Sequence, residues 1–313
     1  MVDKPVGVTS HDVVAAVRRH FRVKRVGHLG TLDPGASGLL LIAIGAATRC
    51  ASIWAGGEKT YEGTLELGVV TSTQDLMGEV LERRPVDLGE AQIREATRSL
   101  VGEIEQIPPM FSAVKVGGQR LYRLARRGVV VERSPRRVHV AEWEWRSFSL
   151  PWASFRIRCS GGTYVRTLAH DLGIRLGTGA ALKALRRLRS EPFGLERSVT
   201  LRELGQVPAA ELWSKAGLEM EAALAGVPSI VLDSEGVDRI GSGAEVSIEP
   251  SVHPEPPRHP PAASVVSGPR SVVFLGPAGE TLALGELAQD PASGRRIARP
   301  HVVFPWAVRG GSE

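Results

Sequence analysis

Asp33 stands in Gly27-His28-Leu29-Gly30-Thr31-Leu32-Asp33-Pro34-Gly35, a glycine-rich loop just ahead of the apolar run Leu39-Leu40-Leu41-Ile42. Glycines there let a partner's backbone approach closely, and a carboxylate held at a sheet edge suits nucleophilic chemistry. Asp-Pro-Gly is also an ordinary turn, so the tripeptide alone leaves Asp33 open between a turn residue and a catalyst. His28 carries the same two readings, loop histidine or functional side chain. Arg166 is more pointed. Thr163-Tyr164-Val165-Arg166 opens a helix, and the positive end of a helix dipole disfavours arginine unless a carboxylate lies beside it. A pair with Asp33 would keep that carboxylate ionised and oriented, as a nucleophile requires. Tyr61 falls on the apolar side of an alternating segment, where its ring serves a core or stacks on a nucleobase equally well.

Other chemistries fail on spacing. Gly57-Glu58-Lys59-Thr60 lacks the glycine before lysine of a phosphate-binding loop, and no complete G-x-G-x-x-G occurs. The histidines form no H-E-x-x-H, nor an H-x-E followed by P-C-x-x-C, so no metal ligand set and no cofactor is expected. Cys50 and Cys159 lie far apart without a C-x-x-C, which excludes a disulfide scaffold and fits a reducing cytoplasm.

The elements that must position these residues are legible in part. Thr9 to Phe21 reads as a capped helix with Val14, Val17 and Phe21 at helical spacing. Leu39–Ile42 suits a buried strand, and Lys59–Val69 alternates with Tyr61, Leu65, Leu67 and Val69 on one face. A helix is predicted through Ile93, Ala96 and Leu100, with strands at Ser112–Val116, Val138–Trp145 and Phe155–Cys159. Val165, Leu168, Ala169, Leu172 and Leu176 mark the next helix, and further helices are expected over Ala209–Leu224. The mixed order predicts an α+β domain on a largely antiparallel sheet, residues 1–227. From 228 to 313 short strands follow, including a hairpin joining Val272–Leu275 to Thr281–Leu284 through Gly276–Gly279. The proline-dense stretch 249–261 reads as an extended loop.

Charge points to a polyanion. The 313 residues carry 39 basic and 34 acidic side chains, a formal +5, with 42% hydrophobic residues and a mean hydropathy of -0.04. Lys115, Arg120, Arg123, Arg126, Arg127, Arg133, Arg136 and Arg137 crowd one segment with Glu132 as its only acid. Lys183, Arg186, Arg187, Arg189, Arg197 and Arg202 form a second cluster. Either could be solvated surface; together they favour phosphate contacts. The longest apolar run, Gly38 to Ala47, falls short of a membrane span, and no secretory signal is visible, so a cytoplasmic protein is expected.

These motifs, taken in order, resemble those of the bacterial tRNA pseudouridine-55 synthases, relatives of the RNA-guided pseudouridine synthases of archaea and eukaryotes. The resemblance spans most of residues 3–200. Asp3-Lys4-Pro5-x-Gly7-x-Thr9-Ser10 is similar to the family's opening motif, and Gly27-His28-x-Gly30-x-Leu32-Asp33-Pro34-x-Ala36-x-Gly38 to its catalytic loop. Lys59-x-Tyr61, Gly68-x-x-Thr71-x-Thr73-x-Asp75-x-x-Gly78, Pro108-Pro109-x-x-Ser112-Ala113-x-Lys115 and Tyr122-x-x-Ala125-Arg126-x-Gly128 follow. Gly162-Thr163-Tyr164-Val165-Arg166 and Leu185-Arg186-Arg187 complete the pattern. The resemblance implies the pseudouridine synthase α+β fold with a C-terminal β domain of PUA type. Members usually carry a further apolar strand ahead of Asp3, so either a shortened start or a different sheet edge is expected.

It also implies a reaction. Uracil is cut from C1′ at N1, turned while held and rejoined through C5, without cofactor or metal. Asp33 would be the nucleophile, attacking C6 of the base or C1′ of the sugar. Arg166 would pair with it, and Tyr61 would stack on the flipped base and assist the final deprotonation. His28 would fill the vacated space; Lys4, Tyr164, Leu185 and Arg126 would contact substrate. The implied partner is the tRNA T-arm stem-loop, handled by a monomer with no obligatory protein partner and no membrane. Two other readings remain: a guide-dependent synthase inside an RNA–protein particle, and a non-catalytic RNA-binding or RNA-folding protein.

Overall fold

The computed structural model describes residues 1–249, 254, 271–290 and 294–308; most of the proline-dense stretch 249–261 lies outside them. The chain divides into two compact units, one of Met1–Leu32, Leu39–Gly57 and Ser190–Glu313, the other of Asp33–Gly38 and Glu58–Arg189.

In the first unit, the helix Ser10–Phe21 starts where expected. Thr9 Oγ1 accepts from Asp12 N–H while the Asp12 carboxylate accepts from Thr9 N–H, a reciprocal cap that satisfies two orphan donors. Val13, Val14 and Val17 bury its inner face. The Ser10 hydroxyl donates to Leu32 C=O and accepts from Leu32 N–H, both 2.9 Å, which fixes the residue immediately before Asp33. Strands Val26–His28 and Ile42–Ile44 pair antiparallel, with His28 opposite Ile42. The region predicted helical at Ala209–Leu224 forms the helices Ala209–Ala216 and Met220–Leu224, preceded by Leu201–Gln206. A five-stranded sheet follows, ordered Ser229–Val231, Ser271–Leu275, Thr281–Gln289, Arg296–Val303 and Val246–Ser247. Its central hairpin is the one read from the Gly276–Gly279 turn. Leu224, Val227, Val273, Leu275, Leu284 and Phe304 share a core with Leu29, Leu39, Leu41 and Trp54.

The second unit is built on a mixed sheet. The strand Ala36–Leu40, whose first three residues belong here, runs parallel to Ala180–Ser190 with Gly38 opposite Arg187. Next come Lys59–Leu67, Trp152–Cys159, Arg136–Ser149 and Gly102–Gln106. The last three pairings are antiparallel, with Tyr61 opposite Ile157 and Lys59 opposite Cys159. Gly38 has φ +101°, and a Cβ there would sit 2.2 Å from Arg187 C=O, so only glycine admits this close strand pairing. The predicted Ser112–Val116 strand shrinks to Lys115–Val116, paired with Gln119–Arg120 across a two-glycine turn. Its apolar residues are too few to cover a sheet face, so the turn decides. Helices Glu90–Arg98 and Val165–Leu176 pack against each other. Among the described residues no helix is long and apolar enough to cross a membrane.

Candidate active site

The helix Val165–Leu176 has no side-chain cap of its own at Tyr164. Buried Gln106 supplies the missing contacts from the edge strand: its Oε1 accepts from Tyr164 N–H at 2.8 Å and its Nε2 donates to Tyr164 C=O at 3.1 Å. This two-point clamp sets the direction in which the helix begins, and Arg166 is its second residue.

Arg166 is buried, its side chain only 6% exposed, and every arm of its guanidinium is used. Nε lies 2.9 Å from Asp33 Oδ2, and Nη1 donates to Thr73 C=O at 2.9 Å and lies 3.5 Å from Asp75 Oδ2. Nη2 donates to Phe111 C=O at 2.9 Å. Arginine's planar fork suits this arrangement, because no rotation of the group can release one partner while keeping the others.

Asp33 also forms the predicted turn, its C=O accepting from Ala36 N–H at 3.0 Å. Turn and catalytic readings therefore coexist: backbone hydrogen bonding places the residue, and Arg166 aims the carboxylate. At 42% exposure the Asp33 side chain is open to an incoming molecule, whereas its cation is not. An ionised carboxylate, pinned from behind and accessible in front, is equipped to attack an electrophilic carbon.

Asp75 is the site residue that motif reading left without a role. Its Oδ1 accepts from Thr73 Oγ1 at 2.6 Å and Met77 N–H at 3.1 Å, a local turn that faces Oδ2 toward Arg166. Between the two partners Gln74 adopts φ +65°, a left-handed conformation uncommon outside glycine, with its side chain accepting from Thr167 Oγ1. The signal is local: Asp75-x-Met77 is an Asx turn, and a buried arginine has more donors than one carboxylate can accept.

Tyr61, also buried, is the third predicted member brought to this place. Burial holds its phenol above the ordinary tyrosine range; Arg187 draws it back, while Cys159 and Asp33 push it further up. Tyr164 and Leu185 are half-buried in this unit, and Arg126 is exposed with its guanidinium 5.7 Å over the Tyr122 ring. His28 is half-buried on its short strand in the first unit. Lys4 is fully buried, and its Nζ donates to Pro5 and Val8 carbonyls, both at 2.9 Å, in the turn ahead of the first helix. Arg187, read as part of a phosphate-binding cluster, is likewise 2% exposed. Most of the first basic segment is exposed as expected: Lys115, Arg120, Arg123, Arg126, Arg127, Arg136 and Arg137 all face solvent. Among the described residues no three His, Cys, Asp or Glu side chains gather as a metal site.

Comparison with known proteins bears on the same elements. Residues 18–165 match the N-terminal domain of the TruB family pseudouridylate synthases, and residues 166–226 match the C-terminal domain of tRNA pseudouridylate synthase B. The tRNA pseudouridine synthase B of Opitutus terrae is 49% identical over 232 residues, 74% of this chain and 95% of that protein. That of Geobacillus thermodenitrificans is 42% identical over 316 aligned residues, 98% of each chain. Among solved structures, a Cbf5-Nop10-Gar1 complex superposes with a TM-score of 0.70 at 27% identity, covering 98% of this chain and 85% of the matched one. With that extent of identity across the segments holding Asp33, Tyr61, Asp75 and Arg166, this chain belongs to the TruB family of tRNA pseudouridine synthases.

Proposed function

We propose that the chain converts the uridine at position 55 in the tRNA T loop to pseudouridine, with Asp33 as nucleophile. The observation that carries this reading is the half-exposed Asp33 carboxylate held at 2.9 Å by a buried, fully engaged Arg166. The target base must leave its stack to reach Asp33, and unstacking is compensated by contacts in the pocket. His28 occupies the vacated position and Tyr61 stacks on the extruded uracil. Tyr61 then serves as acid/base when C5 loses its hydrogen. Exposed arginines of the segment 115–137 hold backbone phosphates, and residues 228–313 act as a PUA-like docking domain. The enzyme works as a cytoplasmic monomer without metal or protein partner.

The test is purified protein with an unmodified tRNA transcript, followed by mapping of pseudouridine. A single product in the T loop supports the reading. The likeness to Cbf5, which is found in complexes with other proteins, favours a guide-dependent synthase as the second reading. No product on naked tRNA, with product appearing once a guide RNA is added, would establish that alternative.

A further inference from the structure

Arg187 is among the largest fully buried side chains of the protein, at 2% exposure. A buried guanidinium is costly unless its donors are used, and at this exposure they must be met from within the protein. It lies on Ala180–Ser190, between the strand that follows Asp33 and the strand Lys59–Leu67 that carries Tyr61. Its backbone is locked against Gly38, where no side chain fits, and a further close contact, between Gly63 and the Ala184 carbonyl, ties its strand to that of Tyr61. Arg187 and the Tyr61 hydroxyl are joined by a side-chain hydrogen bond. Arginine has donors only, so in this bond Tyr61 must accept, and its own O–H stays available.

We propose that Arg187 is a positioning residue for the reaction, its guanidinium fixing the Tyr61 hydroxyl so that the remaining lone pair and proton face the substrate. The inference rests on the acid/base role of Tyr61 given above. In the step concerned the C5–H bond breaks and its electron pair forms the C5–C6 double bond. The pair released at C6 goes to the departing Asp33 oxygen if the carboxylate added there, or to N1 if it added to C1′. Tyr61 gives its own O–H proton to N1 and, as the phenolate so formed, takes the proton leaving C5, so the phenol is regenerated and no external oxidant or acid is consumed. A permanent cation at the hydroxyl favours the phenolate character that accepting this proton requires.

The surroundings fit this assignment. The charged and titratable groups acting on Tyr61 are Arg187 and Asp33, with Cys159 on the adjoining strand. Lys59, two residues before Tyr61 on the same strand, is also buried and lowered to about 8, by desolvation first and then by Arg187. The Cys159 thiol is pushed up to about 12 by burial, so it is neutral near pH 7.

The test uses the full chain and tRNA carrying tritium at C5 of the target uridine, with single-turnover release at saturating enzyme. Arg187→Met is expected to slow release about 10- to 100-fold, the range for a hydrogen bond from a charged group. In a Tyr61→Phe background the same substitution should cost less than about threefold, because there is no hydroxyl left to position. A second readout is independent of turnover: the chain has three tyrosines, so ¹³Cζ-tyrosine spectra follow Tyr61 directly. Its titration should move to higher pH in Arg187→Met and in the neutral, donor-retaining Arg187→Gln. If Arg187→Met does not fold, Arg187→Gln carries the spectroscopic arm alone. Equal slowing in both backgrounds, or an unchanged Tyr61 titration in a folded variant, overturns the proposal. Wild-type release by Tyr61→Phe alone would instead refute the acid/base role of Tyr61, while the titration still judges the Arg187–Tyr61 link.

Discussion

Replacing Arg166 by methionine removes the cation that holds Asp33 and strands the three other groups it engages. At ~4 Å between charge centres and an effective dielectric near 20, the pair with Asp33 is worth ~4 kcal/mol before screening. Asp33 is 42% exposed, so solvent reduces that contribution to roughly 1–2 kcal/mol. The carbonyls of Thr73 and Phe111 and the carboxylate of Asp75 lose a buried donor as well. A total loss of about 3–5 kcal/mol follows, the range for breaking a buried ion pair from one side, or a melting temperature roughly 5–10 °C lower. The chemical step should suffer independently, since a carboxylate free to rotate by an ångström loses on the order of 100-fold in rate. Arg166→Lys retains a charge but has one compact head in place of a fork; it should recover part of the stability and remain at least about tenfold slow. Single-turnover tritium release measures the rate, and thermal melts measure the fold. An Arg166→Met protein that folds and turns over at the wild-type single-turnover rate would refute the claim that Arg166 orients Asp33.

Asp33→Asn should abolish turnover while leaving tRNA affinity within a few fold, because a near-isosteric amide removes the nucleophile and few phosphate contacts; activity above about a hundredth of wild type excludes Asp33 as nucleophile. Reversing the exposed charges at Arg126 and Arg127 should flatten the linear dependence of log affinity on log salt by about two ion equivalents, with little change in the bound rate; an unaltered slope places the phosphates elsewhere. Burial lowers the Lys59 ammonium to about 8 in the folded protein, from an ordinary lysine value of 10.5. The unfolded chain thus binds more protons between those pH values, and stability should rise with pH across the window. Relative to Lys59→Met, the wild-type protein should gain ~3 kcal/mol from pH 8 to 10.5 in urea melts; a flat difference means the ammonium is not desolvated.

How much of this was readable beforehand depended on the range of the interactions involved. The Thr9–Asp12 cap, the alternation of Tyr61, Leu65 and Leu67, and the glycine turn at Gly276–Gly279 are encoded within a few residues, and all appear in the fold. The Asp33–Arg166 pair was also within reach, because a cation in the first turn of a helix demands a carboxylate wherever the helix is placed. The remaining site features lie beyond local pattern. The segment Leu182-Lys183-Ala184-Leu185-Arg186-Arg187-Leu188-Arg189 mixes charge with apolar residues at no clean period, so it read as a basic surface. Parallel pairing with the Asp33 strand instead buries Arg187 and leaves Lys183 exposed, 3.8 Å over the Trp152 ring. The burial of Lys4 has no local signal either, since it follows from carbonyls that turn back toward its own ammonium. Asp75 and Gln106 acquire their roles from partners 91 and 58 residues away. Such contacts are set by strand register and helix packing, so the residue types for the chemistry were visible in the sequence while tertiary structure alone decided which of them meet.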